Sequence, residues 1–271
     1  MGHFLVGNKA ARVESIKAQI ADVLASGLLS PPAAAQLRGR LGFAEGQVFG
    51  RQALAALREL GAWASQPSRR NRISAELAAA LRWLQRHVVE AAPRRVPFRV
   101  RGPPVLVFTD GAYEEEVATC GAVLITADVV RYFGEVIPPP LVTEWRSSGA
   151  KQIIGQAEML PVLLSLLAWG PFLEDKKVVF FIDNDSAKDA PVKGSSPSLH
   201  SRNLLWRAAA AGAQLKHYPW YTRVPSASNI ADGPSRLDFG LVLQLFPEAV
   251  RDHPMIPDSM ASSWSERDAA E

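Results

Sequence analysis

Val105-Leu106-Val107-Phe108-Thr109-Asp110-Gly111-Ala112 and its counterpart Val178-Val179-Phe180-Phe181-Ile182-Asp183-Asn184-Asp185-Ser186 decide how this chain folds. Each is a short run of apolar, β-branched and aromatic residues closed by an aspartate, the pattern of a buried strand that gives way to a loop. Ligand-binding and catalytic groups of α/β sheets gather at such strand ends. Between the two runs, residues 118 to 125 and 129 to 137 read as further strands. A helix is expected over about residues 152 to 169, where Ile153, Ile154, Ala157, Leu160, Leu164 and Leu167 form an apolar pattern that also holds Glu158. After the second run come a helix at about 198 to 212 and a strand at 214 to 221. Asn229-Ile230-Ala231-Asp232-Gly233-Pro234-Ser235-Arg236 then reads as the start of a late helix. Three strands on short turns followed by alternating helices and strands predict an α/β domain, a mixed five-stranded sheet flanked by helices.

The chain before residue 92 has a different period. Val13, Ile16, Ile20, Val23 and Leu24 recur at helical spacing up to Gly27, and Ser30 before Pro31 marks a new helix start. Ala34, Leu37 and Leu41 continue that stripe, Leu54, Leu57 and Leu60 form another, and Ile73, Leu77, Leu81, Leu84 and Val88 a third. Residues 1–91 therefore predict a small all-helical module. Residues 92–104 hold four Pro and four Arg, which no helix interior tolerates, and are expected to link it to the domain at 105–250. Residues 251–271 are polar and aperiodic and are expected to be a disordered tail.

With 271 residues, 48% hydrophobic and 21% charged, the chain can bury one large or two modest cores. Cys120 is the only cysteine, which excludes an intrachain disulfide and a cysteine-based zinc site. The longest apolar stretch, Met159 to Leu173, is broken by Pro161, Gly170 and Pro171 and is too short to cross a bilayer. Residues 1–20 lack a signal-type apolar core, and Val6 stands where a myristoylation site wants Ser or Thr, so an intracellular place, cytoplasm or nucleus, is expected. The net charge of +3 hides a split. Residues 1–104 carry sixteen Lys and Arg against six Asp and Glu, whereas the rest carries fourteen against twenty-one. Such asymmetry points to nucleic acid, because a basic surface attracts phosphate backbones independently of sequence.

Thr109-Asp110-Gly111-Ala112, Gln156-Ala157-Glu158-Met159, Ile182-Asp183-Asn184-Asp185-Ser186-Ala187 and Asn229-Ile-Ala-Asp232-Gly-Pro-Ser-Arg236, in this order, resemble the ribonuclease H domain of a reverse transcriptase from a DIRS/gypsy-like retroelement. The resemblance spans roughly residues 105 to 240, and Asn-x-x-Ala-Asp-x-x-Ser-Arg is its most specific piece. Leu29 to Ala44 with Val48-Phe49-Gly50-Arg51 is similar to the helical thumb and connection region before that domain. A polymerase palm is not matched: such palms carry adjacent aspartates, and this chain has no Asp-Asp pair. Met1 thus reads as an incidental start within a longer polyprotein or a gene fragment, with the missing palm segment as an expected partner.

The resemblance implies metal-dependent endonucleolytic hydrolysis of the RNA strand of RNA/DNA hybrids. The chemistry explains the acids. Water must attack an anionic phosphorus while charge builds on the leaving oxygen, and two Mg²⁺ ions about 3.5 to 4 Å apart relieve both problems, Mn²⁺ being able to replace them. In the family's arrangement Asp110 would bridge both ions, Glu158 and Asp183 would hold the one beside the leaving group, and Asp232 the one on the nucleophile side. Asp185 is the rival of Asp183. Gly111, Ala112, Gln156, Asn184, Ser186, Arg223 and Asn229 fall at positions that would approach the substrate, where 2′-hydroxyls mark the RNA strand. Trp206 fits the apolar stripe of its helix and is expected in the core. The loop Thr222 to Ser228 lacks the histidine that many ribonucleases H carry there. Two alternatives stand beside this reading: a catalytically inactive nucleic-acid-binding remnant, and another nuclease of the same fold, integrase- or transposase-like.

Overall fold

The computed structural model describes residues 2–48, 53–66, 71–98, 102–147, 152–196 and 198–260. The chain divides into two compact units, Met1–Arg99 and Val100–Ala261.

The first unit contains β1 (His3–Val6), α1 (Ala10–Ser26), α2 (Pro31–Gly46), α3 (Leu54–Ala64), α4 (Ala75–Leu84) and β2 (Arg94–Pro97), with one π-helical turn after α4 at Gln85–Val89. Gly27 ends α1 in the left-handed conformation, φ 67°, which an L side chain rarely adopts. The Ser30 hydroxyl caps α2 by accepting the Ala33 N–H, and Ser74 caps α4 by accepting the Leu77 N–H. Ile16, Ile20, Leu37, Leu41, Leu60, Leu81, Leu84 and Val88 are fully buried, so the helical stripes of the sequence are the core of this unit. The expected all-helical character needs correction. β1 and β2 pair antiparallel from His3 opposite Pro97 to Val6 opposite Arg94, which draws half of the expected 92–104 linker into this unit. Strands of four residues carry too little period to be seen in sequence, and this pair joins distant parts of the chain.

The second unit contains β3 (Val105–Glu114), β4 (Val117–Ile125), β5 (Val130–Val136), α5 (Pro139–Arg146), α6 (Ile154–Ala168), α7 (Gly170–Leu173), β6 (Lys177–Ile182), α8 (Asp185–Lys193), α9 (Leu199–Leu215), β7 (Tyr218–Arg223), α10 (Asp232–Ser235), α11 (Gly240–Leu245) and β8 (Val250–Arg251). They form one mixed sheet in the order β7-β6-β3-β4-β5-β8. β3, β4 and β5 run antiparallel, while β6 and β7 run parallel to β3. This is the expected α/β class with the five expected strands, and the two-residue β8 adds a sixth at the β5 edge. The expected disordered tail starts too early at 251. Asp252 accepts hydrogen bonds from Arg131 Nε and Trp169 Nε1, each at 2.8 Å, and Met260 is buried. Polar composition hid these partners.

The two faces of the sheet are covered differently. Asp110 lies opposite Gly121 in the β3–β4 register, so both project to one face and Gly111 projects to the other. α6 packs over β3 and β4 on the Gly111 face, with α9 packed on α6. On the Asp110 face, Val123, Tyr132 and Val242 form a cluster with Phe108, Ile230 and Phe239, under the segment that carries α10 and α11. β3 is longer than the sequence implied. Its parallel pairing with β6 ends at Thr109 opposite Ile182, but its antiparallel pairing with β4 runs on to Glu114 opposite Val117. Asp110 therefore sits inside the strand rather than at its end, at the first position after β6 has stopped. A step between a long strand and a shorter neighbour is open to both faces of the sheet.

Candidate metal centre

At this step three carboxylates meet. Asp110 comes from β3, Glu158 from the first turns of α6 and Asp183 from the residue after β6, and one oxygen of each lies within 4.8 Å of the others. α6 and α10 lie on opposite faces of the sheet, and Asp110 in β3 is the acid near both, close to Glu158 from α6 and to Asp232 from α10. Gly111 makes the approach of α6 possible. A Cβ on Gly111 would lie 2.5 Å from the Ala157 carbonyl oxygen and 2.6 Å from Glu158 N. Pro161 contributes as well: having no N–H, it leaves the Ala157 carbonyl without its helical partner, and that carbonyl faces Gly111. The Gly111 N–H faces the Glu158 carboxylate and favours its charged form, the one influence that opposes the rise of its pKa.

The site holds like charges in a poorly solvated place. Asp110 and Glu158 are only 4% and 5% exposed. Burial, opposed by the Ser235 hydrogen bond and reinforced by Asp183 and Asp232, pushes Asp110 up from 3.8 to about 7. Burial, followed by the charges of Asp110 and Asp183, pushes Glu158 up from 4.5 to about 9. Glu158 Oε2 is buried and has no hydrogen-bond partner. A buried carboxylate oxygen without a donor is costly, and a cation among three carboxylates would remove both that cost and the mutual repulsion. Hard oxygen donors of this kind suit Mg²⁺ or Mn²⁺.

Asp232 stands beside this trio. It is the first residue of α10, half-exposed, close enough to raise the pKa of Asp110, and held by Arg236 Nε at 3.3 Å from its Oδ1. Arg236 also pairs with Glu114 at the end of β3. α10 lies directly on the sheet because Gly121 and Gly134 have no side chains. A Cβ on Gly121 would be 2.4 Å from Ser235 N, and one on Gly134 would be 2.3 Å from the Pro234 carbonyl oxygen. Asn229 ties the preceding loop to β3, donating from Nδ2 to the Thr109 carbonyl at 3.1 Å while its Oδ1 accepts the Ala231 N–H.

The remaining residues singled out in the sequence have structural duties or lie at the rim. Asn229 is buried in the strap just described, and Gly111 is closed off by Ala157. Gln156 is buried and donates to Ser198 Oγ, the cap of α9. Asn184 caps α8 by accepting the Ala187 N–H, and Ala112 is buried in β3. Ser186 and Arg223 are exposed near the site, with Arg223 Nη1 at 3.7 Å from Asp185 Oδ2. Asp185 points to solvent and pairs with Lys188, so Asp183 rather than Asp185 joins the trio. Trp206 is in the core, as its stripe predicts. His217, just before β7, is buried, with Nδ1 at 3.2 Å from the Gly212 carbonyl oxygen. Sequence reasoning missed Gly121, Gly134, Thr119 and the role of Ser235. The one signal available was the Asp232-x-x-Ser235 spacing, which puts both residues on one helical turn.

No protein-family model matches the chain, and no curated protein matches it by sequence. Among solved structures it is similar to the N-terminal ribonuclease H domain of rv2228c from Mycobacterium tuberculosis, studied as a fusion with maltose-binding protein. That match has 20% identity over 52% of this chain and 96% of that one, with a TM-score of 0.38. It is also similar to ribonuclease H1 of the halophilic archaeon Halobacterium salinarum NRC-1, at 22% identity over 47% of this chain and 89% of that one, with a TM-score of 0.36.

Proposed function

We propose that the second unit is a metal-dependent nuclease that hydrolyses the RNA strand of RNA/DNA hybrids, as the ribonuclease H part of a retroelement reverse transcriptase. The observation that carries the reading is the convergence of Asp110, Glu158 and Asp183, with Glu158 Oε2 buried and without a partner. These three would hold one divalent cation, and Asp110 with Asp232 a second. Bound there, the cations supply activation of the attacking water and charge relief at the leaving oxygen.

The protein's own groups do the rest. Asp110, Glu158 and Asp183 set the place of the scissile phosphate by confining positive charge to the step beside β3. Arg236 holds the Asp232 carboxylate at the rim of the site. Arg223, exposed at the end of β7 and 3.7 Å from Asp185, would meet a backbone phosphate. The basic residues of the first unit add sequence-independent attraction to a nucleic-acid backbone. The retroelement setting rests on the motif resemblance, most of all on Asn229 to Arg236, and it implies a polymerase palm that acts with this chain.

The test is cleavage of an end-labelled RNA/DNA hybrid, duplex RNA and duplex DNA with Mg²⁺, Mn²⁺ or EDTA. The wild type is expected to cut only the RNA of the hybrid and only with metal, and Asp110→Asn to abolish cutting. Equal activity in Asp110→Asn refutes the reading. Hybrid binding without cleavage under either metal favours the inactive remnant, and cutting of DNA favours an integrase- or transposase-like nuclease.

A further inference from the structure

Ser235 is completely buried, and its hydroxyl reaches Oδ2 of Asp110. Among the described residues no other side chain donates to Asp110. The same Oγ lies 2.8 Å from the main-chain carbonyl of Asp232, so one atom touches both the strand acid and the backbone of the late acid. Ser235 has little freedom to be elsewhere. Its N–H donates to the Ala231 carbonyl at 2.9 Å, its carbonyl accepts from Thr119 Oγ1, and its backbone rests on the bare surface of Gly121. Gly121 and Thr119 are the β4 residues that pair with Asp110 and Ala112 of β3. The hydroxyl is thus anchored through β4, the strand paired with the one that carries the acid it holds.

We propose that Ser235 is a positioning residue for the metal centre: it fixes the orientation of the Asp110 carboxylate and ties it to the Asp232 backbone, so that the two cation subsites keep one spacing. The proposal rests on the nuclease reading given above. A serine that merely bonded back into its own helical turn would need only the Asp232 carbonyl. The carboxylate contact, made across the sheet from a fully buried side chain, is what assigns it to the site. Without the hydroxyl, Asp110 faces Glu158 and Asp183 with no side-chain donor among the described residues to resist rotation away from them.

Partners that orient ligating carboxylates typically account for about 10- to 100-fold in metal affinity or activity. The experiment compares the full chain with Ser235→Ala and Ser235→Cys. Mn²⁺ affinity is measured by calorimetric titration, and kcat and KM are measured on an RNA/DNA hybrid oligonucleotide. Ser235→Ala is expected to lose about 10-fold or more in Mn²⁺ affinity and in kcat, with KM within about 2-fold of wild type, and Ser235→Cys, a weaker donor of similar volume, to fall between. Wild-type Mn²⁺ affinity and kcat in Ser235→Ala, while Asp110→Asn is inactive, overturns this proposal and leaves the nuclease reading standing. Absence of Mn²⁺ binding and cleavage in the wild type overturns both. If Ser235→Ala loses its unfolding transition in EDTA, Ser235→Cys is judged by the same criteria.

Discussion

Asp110→Asn should inactivate the metal centre and yet make the metal-free protein more stable. Asp110 is raised from 3.8 to about 7, chiefly by burial, so the folded form holds this proton longer than the unfolded chain does. For a raised acid, stability falls as pH rises from the unfolded value to the folded one and stays low above it. Slightly more than three decades of proton affinity, at about 1.4 kcal/mol per decade, charges about 4 kcal/mol against the folded state near pH 8. An amide removes that charge, and its oxygen still accepts the Ser235 hydroxyl. In EDTA near pH 8 the variant should therefore be more stable by about 4 kcal/mol, or roughly 10 °C in unfolding midpoint. Near pH 5 the gap should shrink to less than half of that, and it should close below about pH 4. The assay is urea or thermal unfolding across pH, with and without Mn²⁺, which should stabilise the wild type and not the variant. A variant no more stable than wild type near pH 8, or a gap that widens as pH falls, refutes the reasoning. The same repulsion enters the shift of Glu158, so Asp110→Asn and Glu158→Gln should stabilise less than additively.

Other outcomes follow from the geometry. Gly121→Ala puts a methyl 2.4 Å from Ser235 N and should cost about 1 to 3 kcal/mol, read by urea unfolding, while lowering cleavage with all four acids intact. Asn229→Ala leaves the buried Thr109 carbonyl without its side-chain donor and should cost about 1 to 3 kcal/mol by the same measurement. Mn²⁺ affinity should weaken as pH drops from about 8 to about 6, with protons released on binding, because Asp110 and Glu158 must both ionise to serve as ligands; calorimetry in buffers of different ionisation enthalpy reads this directly.

Much of this arrangement was legible in the chain because it is local. The runs Val105–Thr109 and Val178–Ile182 have the density of buried strands, Gly27 and Ser30-Pro31 are local stop and start signals, and β6 (Lys177–Ile182) exceeds its apolar run by a single residue. What stayed hidden is what depends on distant partners. Beyond Asp110, Gly111-Ala112-Tyr113-Glu114 carries no apolar run, and it is strand only because β4 returns beside it. β1 and β2 exist because each supplies the other's hydrogen bonds. Gly121 and Gly134 look like weak points of two strands until α10 is laid on them, and Ser235 gains its meaning only when Asp110 is beneath it. Pro161 reads as a helix breaker, but α6 tolerates it because the carbonyl it deprives faces Gly111. Among the described residues no helix is long and apolar enough to cross a membrane.

The most direct measurement is the anomalous scattering of a crystal soaked in Mn²⁺. The account predicts a peak in contact with carboxylate oxygens of Asp110, Glu158 and Asp183, at roughly 2.0 to 2.3 Å, and loss of that peak in Asp110→Asn. An empty trio under saturating Mn²⁺, with Glu158 Oε2 instead bonded to a protein donor or water, would contradict it.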